Sequence, residues 1–215
     1  MIFISKEGKI SDSVIRRLPR YYRFLGELLE ERISKISSAE LSKRMKLTAS
    51  QIRQDLNCFG GFGQQGYGYN VAELRDEIGK ILGLDKCRKA ILIGAGNLGT
   101  ALALHIDFHR SGCELAGIFD SNKNICGEAL GGLKITDIEE LERFCREHSP
   151  EIAVLCTPKS AAKELCDKLI SLGVKAFWNF SHYDLNLEYE GMDIVVENVH
   201  LGDSLLTLTY RTNNR

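Results

Sequence analysis

Residues Gly94-Ala95-Gly96-Asn97-Leu98-Gly99, with Asp120 twenty-one positions beyond the last glycine, constrain this chain more than any other feature. The run Lys89-Ala90-Ile91-Leu92-Ile93 precedes the glycines and reads as a buried parallel strand. Leu98, Ala101, Leu102 and Ile106 follow at helical spacing. A glycine-rich turn between a strand and a helix is the context that separates a dinucleotide fingerprint from a chance match. Gly94 permits the tight turn, Gly96 lets backbone approach a pyrophosphate, and Gly99 lets the helix sit close on the strand. Phosphate then meets the N–H groups and positive end of that helix. A second apolar run, Leu115–Phe119, ends at Asp120, whose carboxylate accepts from ribose hydroxyls and repels a 2′-phosphate, so NAD(H) is favoured over NADP(H).

The rest of the chain is wrong for an ordinary dehydrogenase. Only about a hundred and fifteen residues follow the fingerprint, too few to complete a nucleotide fold and add a catalytic domain. The 215 residues are 44% hydrophobic and 27% charged, as in globular domains, and no run reaches membrane-span length. Met1–Glu7 lacks the marks of a secretory leader, and a cytoplasmic location is expected. Seven cysteines with no Cys-x-x-Cys pair read as reduced, packed thiols rather than metal ligands. Net charge is −1 but uneven: residues 1–88 hold 16 Lys and Arg against 11 Asp and Glu, residues 89–215 hold 12 against 18. A basic half joined to an acidic half suggests a polyanion-binding part.

That basic half has its own pattern. Ser11–Glu31 is helical in period, with Val14, Ile15, Leu18, Tyr22, Leu25 and Leu29 on one face and Pro19 either kinking it or opening a new helix. Ser37 and Glu40 fit a capping box stapled by Ile36 and Leu41, and Thr48 and Gln51 fit a second one. The second helix buries Ile52, Leu56 and Phe59 and turns Ser50, Gln51, Arg53, Gln54 and Asn57 outward. Two short helices joined by a tight turn make a helix-turn-helix, whose second helix reads bases near its N-terminus. The glycine- and aromatic-rich Phe59–Tyr69 reads as a β-hairpin wing, and Val71–Gly83 as a linking helix. By pattern alone, a three-helix dimerisation bundle is the competing reading.

Taken together, the two halves resemble the Rex family of bacterial redox-sensing transcriptional repressors, from about Ile10 to Tyr210. The resemblance is carried by Arg17-Leu18-Pro19 with Tyr21-Tyr22-Arg23, Ile36–Leu41, Gln51-Ile52-Arg53 with Asp55-Leu56, Gly66-Tyr67-Gly68-Tyr69, Gly94–Leu102, Phe119-Asp120, Thr157-Pro158 and Trp178-Asn179-Phe180. It implies an α/β chain: a winged helix-turn-helix domain (1–84), a Rossmann-like NAD(H)-binding domain (85–198) and a C-terminal helix and tail (199–215) exchanged within a homodimer. Leu201, Leu205 and Leu208 line one face of that helix, over about Val199–Tyr210. It also implies binding to palindromic double-stranded operator DNA, release by NADH, competition from NAD+, and no catalysis. The candidate cofactor-binding set is Gly94, Ala95, Gly96, Asn97, Leu98, Gly99, Asp120, Ser121, Thr157, Pro158, Asn179 and Phe180. The candidate DNA-binding set is Lys46, Ser50, Gln51, Arg53, Gln54, Gln64 and Gln65. No metal site is expected.

The chain departs from the family pattern in places. Gln54 stands where the family usually has lysine, and Gln64-Gln65 where the wing usually carries a cation, so DNA affinity and its salt dependence should fall. Ser181-His182-Tyr183 replaces Ala-Pro-Val after Asn-Phe, His105 stands where a tyrosine is frequent, and His200 where an acidic residue is expected. His105 and His200 are candidates for a pH-sensitive contact. Two other functions stay open at this point: a small NAD-dependent dehydrogenase using His182 or Tyr183, and a paralogue with a lost or altered NADH response.

Overall fold

The computed structural model describes residues 4–5, 8–60 and 68–213. It divides into two compact units, Met1–Asp85 and Lys86–Arg215. In the first, β1 (Ile4–Ser5) and β2 (Gly8–Lys9) pair antiparallel ahead of α1 (Asp12–Ile15) and α2 (Leu18–Glu30). Pro19 opens a new helix, lying in the first turn of α2 where its missing N–H has no intrahelical role. The break between α1 and α2 shifts the helical phase. Tyr21, Leu25 and Leu28 are therefore buried, Tyr22 and Leu29 lie at the core margin, and Ile15 is 47% exposed, which corrects the single face expected from periodicity.

After β3 (Lys35–Ile36) comes α3 (Ser38–Met45), opened by a reciprocal capping box: Ser37 Oγ accepts the Glu40 N–H, and Glu40 accepts the Ser37 N–H at 2.8 Å. Ile36 and Leu41 are both buried beneath it. Lys46 ends α3 in the left-handed conformation, and α4 (Ala49–Asn57) follows, with Thr48 Oγ1 accepting the Gln51 N–H. α3, the three-residue turn and α4 are the helix-turn-helix. The second capping box is only half made, because the Gln51 side chain turns inward to Asp55.

β4 (Tyr69–Asn70) pairs antiparallel with β3, and α5 (Val71–Leu82) starts on the Asn70 side chain and ends at left-handed Gly83. At Gly68, φ is +73° and a Cβ would lie 2.7 Å from the Ile36 carbonyl oxygen, so the chain entering β4 needs glycine. Residues 61–67, which include Gln64 and Gln65, lie outside the described residues. α5 packs along α2, with the Arg75 guanidinium 4.2 Å from the Tyr22 ring centroid.

The second unit is a seven-stranded sheet. Its elements are β5 (Arg88–Ile93), α6 (Asn97–His105), β6 (Cys113–Asp120), β7 (Ala129–Leu130), β8 (Leu133–Asp137), α7 (Leu141–His148), β9 (Ile152–Leu155), α8 (Lys159–Ser171), β10 (Ala176–Asn179), α9 (Leu185–Glu188), β11 (Val195–Asn198) and α10 (Leu201–Asn213). The strand order is β11-β10-β9-β5-β6-β8-β7, parallel throughout except β7. Leaving out β7, this is the doubly wound order, with its switch point between β5 and β9. Alternation along the central strands feeds two cores: Ile91, Ile93, Ala153 and Leu155 face one, Leu92 and Val154 the other.

Two expected helix limits change. α6 stops at His105, leaving Ile106 extended and Ala101 exposed. α10 starts at Leu201, because the Val199 N–H still bonds to the Asn179 carbonyl as a continuation of the sheet. None of residues 201–213 is buried, and Leu201, Leu205, Leu206, Leu208 and Tyr210 are between 57% and 70% exposed. Among the described residues no helix is long and apolar enough to cross a membrane.

Candidate functional site

The glycine turn sits at the sheet's switch point. Gly94 has φ +97°, and a Cβ there would fall 2.6 Å from the Cys156 carbonyl oxygen at the end of β9. A Cβ on Gly99 would lie 1.8 Å from the Gly94 oxygen and 3.1 Å from the Leu92 side chain, so only glycine lets α6 rest on the turn and on β5. Gly96 differs: open space surrounds its missing Cβ. It is the N-cap of α6 and supplies no side-chain cap, so the first N–H groups of the helix are left for another acceptor. An anion is the acceptor that site favours.

Asp120, at the end of β6, is held from two sides. Its carboxylate accepts the Ala95 N–H at 2.6 Å and the Asn122 N–H at 2.7 Å, which locks it to the glycine turn. Beside it lies a cleft of about 690 Å³. Gly94, Gly96, Asp120 and Ser121 line one side; Cys156, Thr157 and Pro158, from the β9–α8 turn, line another. Thr157 Oγ1 is buried without a hydrogen-bond partner. A buried hydroxyl in that state is costly unless a ligand completes it. An uncapped helix start, a fixed carboxylate and an orphaned hydroxyl around one cleft fit the phosphates and ribose of a dinucleotide.

The cleft thus gathers Gly94, Gly96, Asp120, Ser121, Thr157 and Pro158 from the expected set. Ala95 and Gly99 are buried behind it, Leu98 packs into the core, and Asn97 is exposed at the start of α6. Asn179 and Phe180 do not line it. Asn179 is fully buried and its amide is saturated: Nδ2 donates to the Tyr183 carbonyl (2.6 Å) and Asn198 Oδ1 (2.8 Å), while Oδ1 accepts from Ser181 N–H and Oγ. It ties β10, its following loop and β11 together. Phe180 packs edge-on against Trp178. Sequence reasoning missed Ile138, Leu141 and Leu165, which form the apolar wall, and Glu139 and Lys168, which also line the cleft. The apolar three look like ordinary core positions in a one-dimensional pattern.

The histidine pair differs from expectation. His200 stacks on His182, ring centroids 5.5 Å apart, rather than meeting His105, which is exposed on α6. His182 holds φ +58°, and this turn after β10 brings its ring to His200 at the foot of α10. Among the described residues no three His, Cys, Asp or Glu side chains are grouped to hold a metal.

On the first unit, Lys46, Ser50, Arg53, Gln54 and Asn57 are exposed along the turn and α4. Arg53 also donates to Ser38 Oγ at 3.0 Å, bracing α4 against α3. Gln51 leaves the outward set. Its amide donates to Asp55 Oδ1 at 2.8 Å, because Asp55 is a buried carboxylate that collects donors. Arg17 binds Asp55 with Nε (2.7 Å) and Nη2 (2.8 Å), and the Tyr21 hydroxyl donates at 2.8 Å. Burial pushes the Asp55 carboxyl up, but the bonds from Arg17, Tyr21 and Gln51 and the Arg17 charge outweigh it and hold it below the usual carboxylate range. Burial first, then the Asp55 bond, push the Tyr21 hydroxyl well up. Arg20 adds a bond to the Met45 carbonyl. The surface of α4 is therefore set by polar ties to α2 as well as by its apolar face.

The comparisons agree with both units. Residues 9–57 match the family described as "Putative DNA-binding protein N-terminus", and residues 85–183 match "CoA binding domain". The chain is 53% identical over 210 residues to a redox-sensing transcriptional repressor Rex of Thermoanaerobacter pseudethanolicus, covering 98% of this chain and 92% of the relative. It is 49% identical over 211 residues to the protein of that name from Clostridium perfringens, covering 98% of each. Among solved structures it is similar to RSP, a Rex-family repressor. The complex of RSP with beta-NAD+ and operator DNA matches with a TM-score of 0.89 at 52% identity, over 95% of this chain and 93% of that one. The complex of RSP with beta-NADH matches with a TM-score of 0.86 at 49% identity, over 95% of each. With identity near one half sustained from the helix-turn-helix through the nucleotide cleft, the chain belongs to the Rex family of redox-sensing transcriptional repressors.

Proposed function

We infer that this protein is a DNA-binding repressor that holds NAD(H) as a signal and releases its operator when NADH is bound. One observation carries the reading: a cleft built for a dinucleotide and an exposed helix-turn-helix lie on one chain that matches, almost end to end, a repressor solved with operator DNA, with NAD+ and with NADH. Gly96 and the first N–H groups of α6 take the pyrophosphate, and Asp120 takes the adenosine ribose. Ser121, Thr157 and Pro158 close the cleft around them. Asn179 and Phe180 act by shaping the end of the sheet. Lys46, Ser50, Arg53 and Gln54 meet DNA directly, as do Gln64 and Gln65, and Gln51 contributes by fixing Asp55.

Binding to a palindrome needs two recognition helices about 34–36 Å apart. The second copy docks through α10, where Leu201, Leu205, Leu206 and Leu208 are each more than half exposed in the single chain. A face of leucines that size is a partner surface rather than scattered exposure. Truncation after Val199 is expected to leave a folded monomer in sedimentation velocity runs with no measurable operator binding; a truncated protein that still dimerises would count against an exchanged helix. The protein acts in the cytoplasm and is not an enzyme. Turnover of NADH with any candidate substrate would overturn the second part.

The deciding experiment is a mobility shift on an AT-rich inverted repeat with NADH or NAD+ titrated in. NADH should release the DNA at concentrations where NAD+ does not. Reciprocity requires operator DNA to weaken NADH binding by the same factor. If saturating operator leaves NADH affinity unchanged, the sensing scheme fails while DNA binding itself stands.

A further inference from the structure

Two cysteines lie one residue out of register at the start of the central strands β5 and β6, at the end of the strands opposite the nucleotide cleft. β5 and β6 run in register from their first residues, Arg88 opposite Cys113, and the Arg88 N–H donates to the Gly112 carbonyl at 2.9 Å. Cys87 immediately precedes Arg88. Strand spacing and rise put the Cys87 and Cys113 Cα atoms about 6 Å apart, within the range a disulfide spans.

In a straight strand Cys87 would face away from Cys113, since neighbours alternate sides. Cys87 is not straight: its φ is +47°, a left-handed turn that breaks the alternation. Burial first pushes the Cys113 thiol up; the Arg88 charge pulls it down, and Cys87 pushes it up. Cys87 is exposed, Cys113 half-buried, and both are free.

The remaining cysteines lack this arrangement. Cys145 and Cys166 are buried, and burial pushes the Cys166 thiol up to about 12. Burial alone pushes the Cys156 thiol up to about 11. Cys58 and Cys126 are half-buried and, like Cys113, donate to local backbone carbonyls, but neither has a second cysteine on the neighbouring strand.

We propose that Cys87 and Cys113 form an intramolecular disulfide when the protein meets a low-molecular-weight disulfide of the glutathione type, making a thiol redox site separate from the nucleotide cleft. The exposed Cys87 thiolate attacks one sulfur of the oxidant. The oxidant's S–S bond breaks, and the first small thiolate leaves and takes up the proton lost by Cys87. Cys113 then gives up its proton and attacks the Cys87 sulfur of the mixed disulfide, expelling the second small thiol. Two protein thiols lose two electrons and two protons, and the oxidant gains both. Burial makes Cys113 the poorer first nucleophile, which assigns it the resolving step. The new bond fastens the residue where the chain enters the sheet.

The test uses the full-length reduced protein, incubated with oxidised glutathione, quenched with an alkylating agent and mapped as peptides without reduction. Wild type should lose about 2 Da, as two hydrogens, and yield one linked peptide joining Cys87 to Cys113, reversed by dithiothreitol. Cys113→Ser should stop at a glutathione adduct on Cys87. Cys87→Ser should leave Cys113 reduced over the same interval. The proposal is overturned if wild type also stops at the adduct on Cys87, if Cys87 pairs with a second copy of itself, or if Cys87→Ser is oxidised at Cys113 as fast as wild type.

Discussion

Replacing Asp55 with alanine is expected to destabilise the helix-turn-helix unit by about 3–5 kcal/mol, the range for removing one partner of a buried ion pair. For a unit of this size that lowers the melting midpoint by on the order of 12–40 °C. Asp55 is fully buried and serves Arg17, Tyr21 and Gln51 at once. Water reaches Arg17, whose side chain keeps 25% of its exposure, and softens its loss. It does not reach the Tyr21 hydroxyl, which is stranded in the core. Operator binding should fall with the fold, because the residues that tilt α4 are released together. A melting midpoint within a few degrees of wild type would show that the network is dispensable.

The same carboxylate makes a pH prediction. Its folded-state pKa lies below the unfolded value of about 3.9. The stabilisation is therefore complete above the unfolded value and is lost as pH falls through the folded one. The stability difference between wild type and Asp55→Ala should be flat from about pH 5 upward and shrink in stronger acid. Urea titrations across that range read it directly, and a gap that widens on acidification would contradict the assignment.

Asp120→Ala is expected to weaken NADH by at least about 100-fold, since each hydrogen bond to a charged group contributes about 1.5–3 kcal/mol and two ribose bonds are lost. The carboxylate is pre-aimed by the Ala95 and Asn122 N–H groups, so it needs no rearrangement on binding. Operator affinity without nucleotide should stay within about twofold, and the NADH concentration that releases DNA should rise by the same factor as the dissociation constant. Preference for NADH over NADPH should narrow, because the repulsion of a 2′-phosphate is removed. Isothermal titration with both nucleotides, beside mobility shifts, reads all of these. Unchanged NADH affinity would mean that the ribose lies elsewhere.

The glycine turn was legible because its requirements are local. φ at Gly94 and the near-contact at Gly99 arise from residues within a few positions or from the next strand, and short spacing records them. The Ser37–Glu40 cap was legible for the same reason. Gln51 was misread because its three-residue distance from Thr48 fits a cap, while the partner that captures its side chain, Asp55, is buried by Tyr21 and Arg17 on a different helix. Asn179 stood out as a cofactor-binding candidate but lies off the cleft as a saturated junction, which short spacing does not record because its bonds run to Tyr183 and Asn198 through a turn.

The amino-acid order alone determined the strand–turn–helix around Gly94–Gly99, the Asp120 carboxylate beside that turn and the tandem helices of the basic half. Each rests on periodicity, caps and glycines that act over one or two turns of chain. Tertiary structure alone decided the apolar wall of the cleft, the unmet hydroxyl of Thr157, the inward turn of Gln51 and the stacking of His182 on His200. Those depend on which strands and helices become neighbours, and burial then sets what each polar group must bond to.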